Sequence, residues 1–565
     1  MMRVAAVHLA TDSSSSSDKL SRCLRLIDVA AAQKAQLVVL PTVDDDSSGP
    51  EDLPTWDQAL AVDGPLLGAI AEQARISRCY IVVAATLRQD YPCAIHSTLL
   101  FGPEGNCLMV SDTQTFADSC LNTHASPRHP PRVRDIDSVR LGLLSGKDGS
   151  GFECPRVLAL QDAQLLCHSS SSMDCGTSSH QLVVRAAENR VFVVQAAAST
   201  PQLDAVSASP EARDVPIGDV QQSQLLVSQI IAPDGRMLAR ASGRQDEVIW
   251  ADIDPSAADD KLRPDGSDVF FNRRPTLYGE ILQPPMDTQT SSSNHSLLIN
   301  QTLDFALVSI DEQENPQRLQ QALDKLSRLP DNVQLAVLPE LFWLADVNLY
   351  PLTDILESAE QVQVALLQLC RQRQMYVCTS LILNFGQGLQ HCGVLLGPEG
   401  VEICQPQLHF AARFGWHQVG ARLVTADLPW GRVAICVGDD LWYPELVKVA
   451  ALRGVQILLV PFNCQEAWES QLGVVNRVLE NNLCVIACSR DTENNAGLIA
   501  CADSDWALVT EESGIVQLRQ GAAGTTGRAT ESGARSQSCW FLAYELCKPE
   551  PSRVDAFEGW GMRPM

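Results

Sequence analysis

A glycine that occurs twice in the same setting constrains this chain more than any other feature. The stretches Arg140-Leu-Gly-Leu-Leu-Ser-Gly146-Lys-Asp148 and Arg432-Val-Ala-Ile-Cys-Val-Gly438-Asp-Asp440 align without a gap. Glu153 and Glu445 each follow seven residues after the glycine, and Arg-x-x-Glu-Asn segments begin at Arg185 and Arg477. All three landmarks recur 292 residues further on. A fixed long period means one structural module used twice, and 565 residues are too many for one ordinary core. The chain divides into a first unit over 1–283, a linker over 284–300, a second unit over 301–520 and a tail over 521–565.

Within each unit, strands and helices alternate. Val4-Ala-Ala-Val-His-Leu and Phe305-Ala-Leu-Val-Ser-Ile read as opening strands, followed by helical spacing over 20–33 and 319–329. Buried strands follow at Leu37-Val-Val-Leu-Pro41 and Leu335-Ala-Val-Leu-Pro339, then helices over 66–75 and 359–373. His96 and His391 open strands that end in Gly-Pro-Glu-Gly turns. Buried β-branched strands alternating with helices predict an α/β layered fold. The Ser13–Ser17 run reads as a loop, the serine-rich 284–294 stretch as linker, and 521–538 as a mobile segment.

Composition removes several function classes. A net charge of −26 opposes nucleic acid or an anionic membrane surface as partner. No apolar run reaches the roughly 20 residues that span a bilayer, and the N-terminus lacks a signal-peptide pattern. The expected compartment is the cytoplasm, without membrane insertion. The 19 cysteines are scattered, without zinc spacing, and read as buried reduced thiols. No metal or other cofactor is implied.

Taken in order, these residues resemble the nitrilase, or carbon–nitrogen hydrolase, superfamily over nearly the whole chain. The resemblance rests on Leu-Val-Val-Leu-Pro41, Leu-Ala-Val-Leu-Pro-Glu340, Asp440-Leu-Trp-Tyr-Pro-Glu445, the two Arg-x-x-Glu-Asn segments and Arg273-Arg-Pro-Thr-Leu-Tyr278. It implies two αββα sandwiches in tandem, forming an intramolecular pseudo-dimer, and hydrolysis of amides or nitriles by a Glu-Lys-Cys triad. The second unit has no counterpart of the Arg-Arg-Pro segment and diverges towards its end.

The triad chemistry needs a thiolate nucleophile, a carboxylate to move its proton and a cation for the developing negative charge. The family pattern places the cysteine two residues before the aspartate and seven before the glutamate. Those positions are Gly146 and Gly438. The carboxylate is Thr42 in the first unit and is kept as Glu340 in the second. The lysine falls near Thr113, and at Gln407 or Leu408. No lysine lies between Lys34 and Lys147 or between Lys325 and Lys448.

Both triads are therefore degenerate. Cys436 stands two residues before Gly438 and shares a strand face with it, yet a shift of two residues is roughly 6–7 Å along a strand. The simple reading of Cys436 is a core thiol. His409 and Arg413 offer charge in place of the lysine, and Asp440 and Glu445 complete the residual site. Asp439, Asp440 and Glu340 provide too few oxygens for a hard cation. The expected function is a non-catalytic scaffold, binding or regulatory protein, with self-association or a protein partner and a small-molecule pocket in the second unit. The other function left open is a divergent amidase using Cys436 and Glu340.

Overall fold

The computed structural model describes residues 1–10, 16–43, 56–115, 127–137, 139–170, 179–199, 227–282, 302–310, 315–345, 351–386, 388–414, 418–490, 497–500, 506–510, 516–520 and 546–547. The linker over 284–300 and the expected mobile stretch over 521–538 lie outside the described residues. So do most of the Ser13–Ser17 run's first residues, although Ser16 and Ser17 already belong to a helix.

Eight α-helices are described: α1 (Ser16–Ala32), α2 (Pro65–Ser77), α3 (Glu153–Leu160), α4 (Ser179–Asn189), α5 (Asn315–Ser327), α6 (Leu352–Arg373), α7 (Pro444–Leu452) and α8 (Val474–Asn481). In α1, Cys23, Leu26, Ile27 and Ala30 are buried at helical spacing and pack on the first sheet. Helix α6 begins two turns earlier than the 359–373 periodicity suggests. Pro351 precedes it, and Ile355 extends the buried stripe of Ala359, Val362, Leu366 and Leu369 towards the N-terminus.

Each half is two sheet layers with helices outside, and in the first half the layers join where Met2–Ala10 pairs with Phe192–Ser199. In the first half, Met2–Ala10 pairs in parallel with Leu37–Val39 and antiparallel with Glu247–Ile253. The facing sheet contains Val139–Ser145, Leu165–Ser169 and Phe192–Ser199 in parallel. The second half repeats this, with Thr302–Leu307 beside Leu335–Val337 and Val516–Gln520, and Gly431–Ile435 beside Ile457–Phe462 and Cys484–Ser489. Strand alternation divides the core. Leu335 and Val337 enter the layer between sheets, whereas Ala336 and Leu338 face the helices.

The halves meet through α3 and α4 of the first and α7 and α8 of the second. Val184 and Ala187 pack with Leu441, Trp442 and Leu446, while Leu472 packs with Phe152 and Leu158. Buried ion pairs cross this seam reciprocally. Arg185 pairs with Glu188 on its own helix and with Glu480 across it. Arg477 pairs with Glu480 at 2.6 Å and with Glu188 across the seam. Arg156 approaches Glu445 at 3.4 Å, and its counterpart Lys448 approaches Glu153 at 3.7 Å. Residue i meets j and j meets i, which is the signature of an isologous twofold contact.

Burial pushes the Glu188 carboxyl up, but the guanidiniums of Arg185 and Arg477 overcome burial and hold it below its ordinary value. The stabilisation it contributes is complete above the unfolded value, about 4.3, and is lost as pH falls through the lower folded value. Chemical denaturation over this pH range should show that loss. Glu188→Ala should abolish the component and cost about 3–5 kcal/mol at neutral pH, because two buried guanidiniums lose a partner.

Candidate functional site

In both halves a sheet strand runs into a glycine held left-handed, then a short turn and a helix. Gly146 has φ 52° and Gly438 has φ 53°, a region that charges a non-glycine residue roughly 1–2 kcal/mol. The aspartate two residues on fixes the neighbouring loop. Asp148 accepts from the backbone N–H of Gln114 and Thr115, both at 2.9 Å. Asp440 accepts from the N–H of Leu408 at 2.9 Å, and from the N–H and Nδ1 of His409, both at 2.8 Å.

This bracket settles the register that the sequence left between two residues. Thr113 N–H donates to His96 O at 2.9 Å, and Gln407 N–H donates to His391 O at 2.7 Å. Thr113 and Gln407 are therefore the equivalent positions, and Leu408 is not. Both are buried. Thr42 lies buried at the end of the strand that corresponds to the one leading to Glu340, and its hydroxyl finds no hydrogen-bond partner among the described residues.

The second half keeps more polar structure at this place. A methyl group added at Gly438 would stand 3.0 Å from Glu340 Oε1, so the carboxylate and the glycine face each other. Leu341, at φ 42°, is held in that strained conformation partly by donating its N–H to Ser380 Oγ at 2.9 Å. The Gln407 Oε1 can only accept, so His391 Nδ1–H donates to it at 2.9 Å, and the neutral ring's Nε2 accepts from the Ser380 hydroxyl at 2.9 Å. The Gln407 amide N–H groups remain without an acceptor among the described residues.

Arg413 fills the approach to Glu340. Its Nη2 donates to the two Glu340 oxygens at 3.0 and 3.3 Å, and its Nη1 pairs with Asp439 and lies 3.4 Å from Asp265. Arg263, from the first half, donates to Asp439 at 2.7 Å and Glu469 at 2.5 Å. Burial raises the Asp439 carboxyl, but Arg263 and Arg413 outweigh it and hold it at about 2. Glu469 is driven up to about 7 by burial, which Arg263 only partly opposes. Burial also keeps the Glu340 carboxyl above its ordinary value despite Arg413.

The remaining sequence candidates lie elsewhere. Cys436 is fully buried beside Leu446, Val447, Leu458 and Val460, on the helix side of its strand, and burial lifts its thiol far above the usual range. Its counterpart in the first half is Leu144, buried in the same layer. The charges acting on Cys436 are Asp440 and Arg477, whereas Arg413, Asp439 and Arg490 act on Glu340. His409 is stacked on Tyr443 with centroids 3.7 Å apart and bonded to Tyr278 Oη at 2.7 Å. Glu445 is bound by Arg273 at 3.0 Å in the seam. Among the described residues no group of three or more His, Cys, Asp or Glu side chains is arranged to hold a metal.

Tyr278, Arg273 and Arg263 all belong to one segment, 263–282, that leaves the first half and lies over the second. Arg274 donates to Leu408 O at 2.8 Å, and Ser267 Oγ accepts from Ala412 N at 2.8 Å. A cavity of about 200 Å³ lies where this segment meets the second half, with Leu277, Glu280, Arg422, Leu446 and Arg453 in its walls. Sequence reasoning missed Arg263, Asp265 and His391. Only the repeated His96 and His391 left a signal, as matching residues opening equivalent strands.

A family model described as Carbon-nitrogen hydrolase matches residues 3–261 and 298–501. The chain belongs to the carbon–nitrogen hydrolase family. Similar members include a nitrilase of Pyrococcus abyssi, 25% identical over 291 residues, covering 49% of this chain and 99% of that protein. Omega-amidase NIT2 of Bos taurus is 27% identical over 266 residues, covering 45% of this chain and 88% of its own length. A solved amidase from Nesterenkonia sp. matches with 18% identity and a TM-score of 0.36, covering 46% of this chain and 92% of that one. The nitrilase and the omega-amidase each match about half of the chain. Among the described residues no helix is long and apolar enough to cross a membrane.

The left-handed turn yields a direct test. Gly438→Ala should destabilise the protein by about 1–2 kcal/mol in chemical denaturation, from the positive φ alone. Crowding against Glu340 adds to this.

Proposed function

We propose that this chain is a carbon–nitrogen hydrolase family member without the family's triad chemistry, acting as a scaffold or regulatory subunit. The observation that carries the reading is the site at Gly438. The turn that would present a nucleophile is kept, but the residue on it has no side chain, and the facing Glu340 is held by Arg413. Gln407 supplies a neutral amide where the family's cation would stand, and the first half has Thr42, Thr113 and Gly146 at the three positions. Because triad members act as a unit, loss of nucleophile and cation together leaves no route through this mechanism. Cys436 supports the same reading through its burial among aliphatic side chains and its leucine counterpart. Arg413 stands against Glu340, where a small ligand of the second half would bind, which supports assigning the binding role to a protein partner or a second copy, in a reducing cytoplasmic setting.

The similar proteins named as nitrilase and omega-amidase define the assay. Ammonia release from a panel of small amides and nitriles should not exceed the blank, and Glu340→Gln or Cys436→Ala should change nothing. Turnover that either substitution abolishes would overturn the proposal. Rebuilding should work in one direction only. Gly438→Cys combined with Gln407→Lys and with Arg413→Ala, which frees Glu340, should yield measurable hydrolysis of a small primary amide, while each substitution alone stays at background.

A further inference from the structure

The cavity of about 200 Å³ at the join of the halves shares no wall residue with the Gly438 site, and its lining is not that of a plain packing void. Leu277, Leu423, Leu446 and Val449 give it an apolar surface, the last three buried. Ala421 and Arg422 also line it and are exposed, so it opens to solvent on their side. Three charged residues reach it. Arg453 is fully engaged: its Nε donates to the two Glu280 oxygens at 2.9 and 3.0 Å, and its Nη1 to Leu423 O at 2.7 Å. The Arg422 guanidinium has no hydrogen-bond or ion-pair partner among the described residues. The wall therefore carries one unbalanced positive charge, in a chain whose net charge is −26.

The repeated module shows that this chemistry belongs to one half alone. At the 292-residue period, Leu446, Val449 and Arg453 correspond to Cys154, Val157 and Gln161. Gln161 Nε2 donates to Pro131 O at 3.3 Å, as Arg453 Nη1 donates to Leu423 O. The two places therefore correspond, with Pro130 standing where Arg422 does. In the first half the same contact from helix to loop is made without either arginine. There the chain's own Leu546 is fully buried in the cluster of Cys154 and Val157.

We propose that this cavity binds a small monocarboxylate with an apolar body, of the arylacetate class. An apolar cavity of about 150 Å³ admits a benzene ring, so this one has room for a ring and its carboxylate. The ring lies against Leu423, Leu446 and Val449 and leaves water there. The carboxylate faces Arg422, whose planar fork of donors matches two carboxylate oxygens. Because Glu280 already balances Arg453, the charge of Arg422 selects an anion over a neutral analogue. Thr276, Leu277 and Glu280 belong to the first half and Leu423, Leu446 and Val449 to the second, so an occupant bridges the two. It holds down the segment that carries Arg263 and thereby stabilises the folded chain.

The test titrates phenylacetate into the full-length chain and reads binding by isothermal titration calorimetry and by the thermal midpoint. Saturable one-to-one binding and a raised midpoint are expected. Phenethyl alcohol, which keeps the skeleton without the charge, should bind more weakly by about tenfold or more. Arg422→Ala should weaken phenylacetate by about the same factor, and as an exposed residue its loss leaves the fold intact. Ala421→Trp, also a surface change, should block the mouth and abolish binding. No saturable binding of phenylacetate to the wild-type protein would overturn the proposal. So would binding that phenethyl alcohol matches, or binding that survives both substitutions. Ammonia release enters none of these readouts, so the outcome stands apart from that of the amide and nitrile panel.

Discussion

Two arginines and two glutamates at the centre of the seam set the terms for everything else in this molecule. Arg185, Glu188, Arg477 and Glu480 are all essentially excluded from water, and each carboxylate serves one arginine of its own helix and one of the other half. Such a square is favourable only when it is complete. Removing a member strands a buried charge, whereas the full set offsets much of its desolvation by mutual attraction and hydrogen bonds. The two halves are therefore held in one relative placement, by a contact with twofold reciprocity made between two unequal halves of a single chain. Covalent linkage keeps the partners at high effective concentration.

That placement lets the first half reach the Gly438 site of the second. The 263–282 segment follows the seam and inserts Arg263 between Asp439 and Glu469, while Asp265 meets Arg413 and Tyr278 meets His409. The chain of alternating charges from Glu340 through Arg413, Asp439 and Arg263 to Glu469 leaves each buried charge next to an opposite one. Arginines from other elements thus supply the charges around the Gly438 turn. The left-handed glycines accommodate that turn without the strain a side chain would add.

The sequence carried the fold because the period repeats every landmark, and because strand parity and helical spacing place the same residues in the core as the structure does. It also carried the Gly146 and Gly438 positions, since they follow by counting from fixed neighbours. The lysine position was ambiguous by one residue, because the first half's turn is one residue longer: Phe101 pairs with Cys107, whereas Leu396 pairs with Val401. Matching backbone hydrogen bonds make Thr113 and Gln407 equivalent to each other. Arg263 was beyond reach: its partner Asp439 is 176 residues away, and no local pattern marks an arginine whose role exists only once two halves are packed. Cys436 looked ambiguous because parity alone puts it on the face of Gly438. The left-handed backbone of Gly438 itself breaks that parity, and the thiol stays with the aliphatic layer.

If the seam makes the two halves one structural unit, they must unfold together. Scanning calorimetry of the full-length chain measures this directly, by comparing the calorimetric enthalpy with the van't Hoff value. The account predicts one transition in which the two agree, splitting into two when Glu188→Ala breaks the square. Two well-separated transitions in the wild-type protein would contradict it.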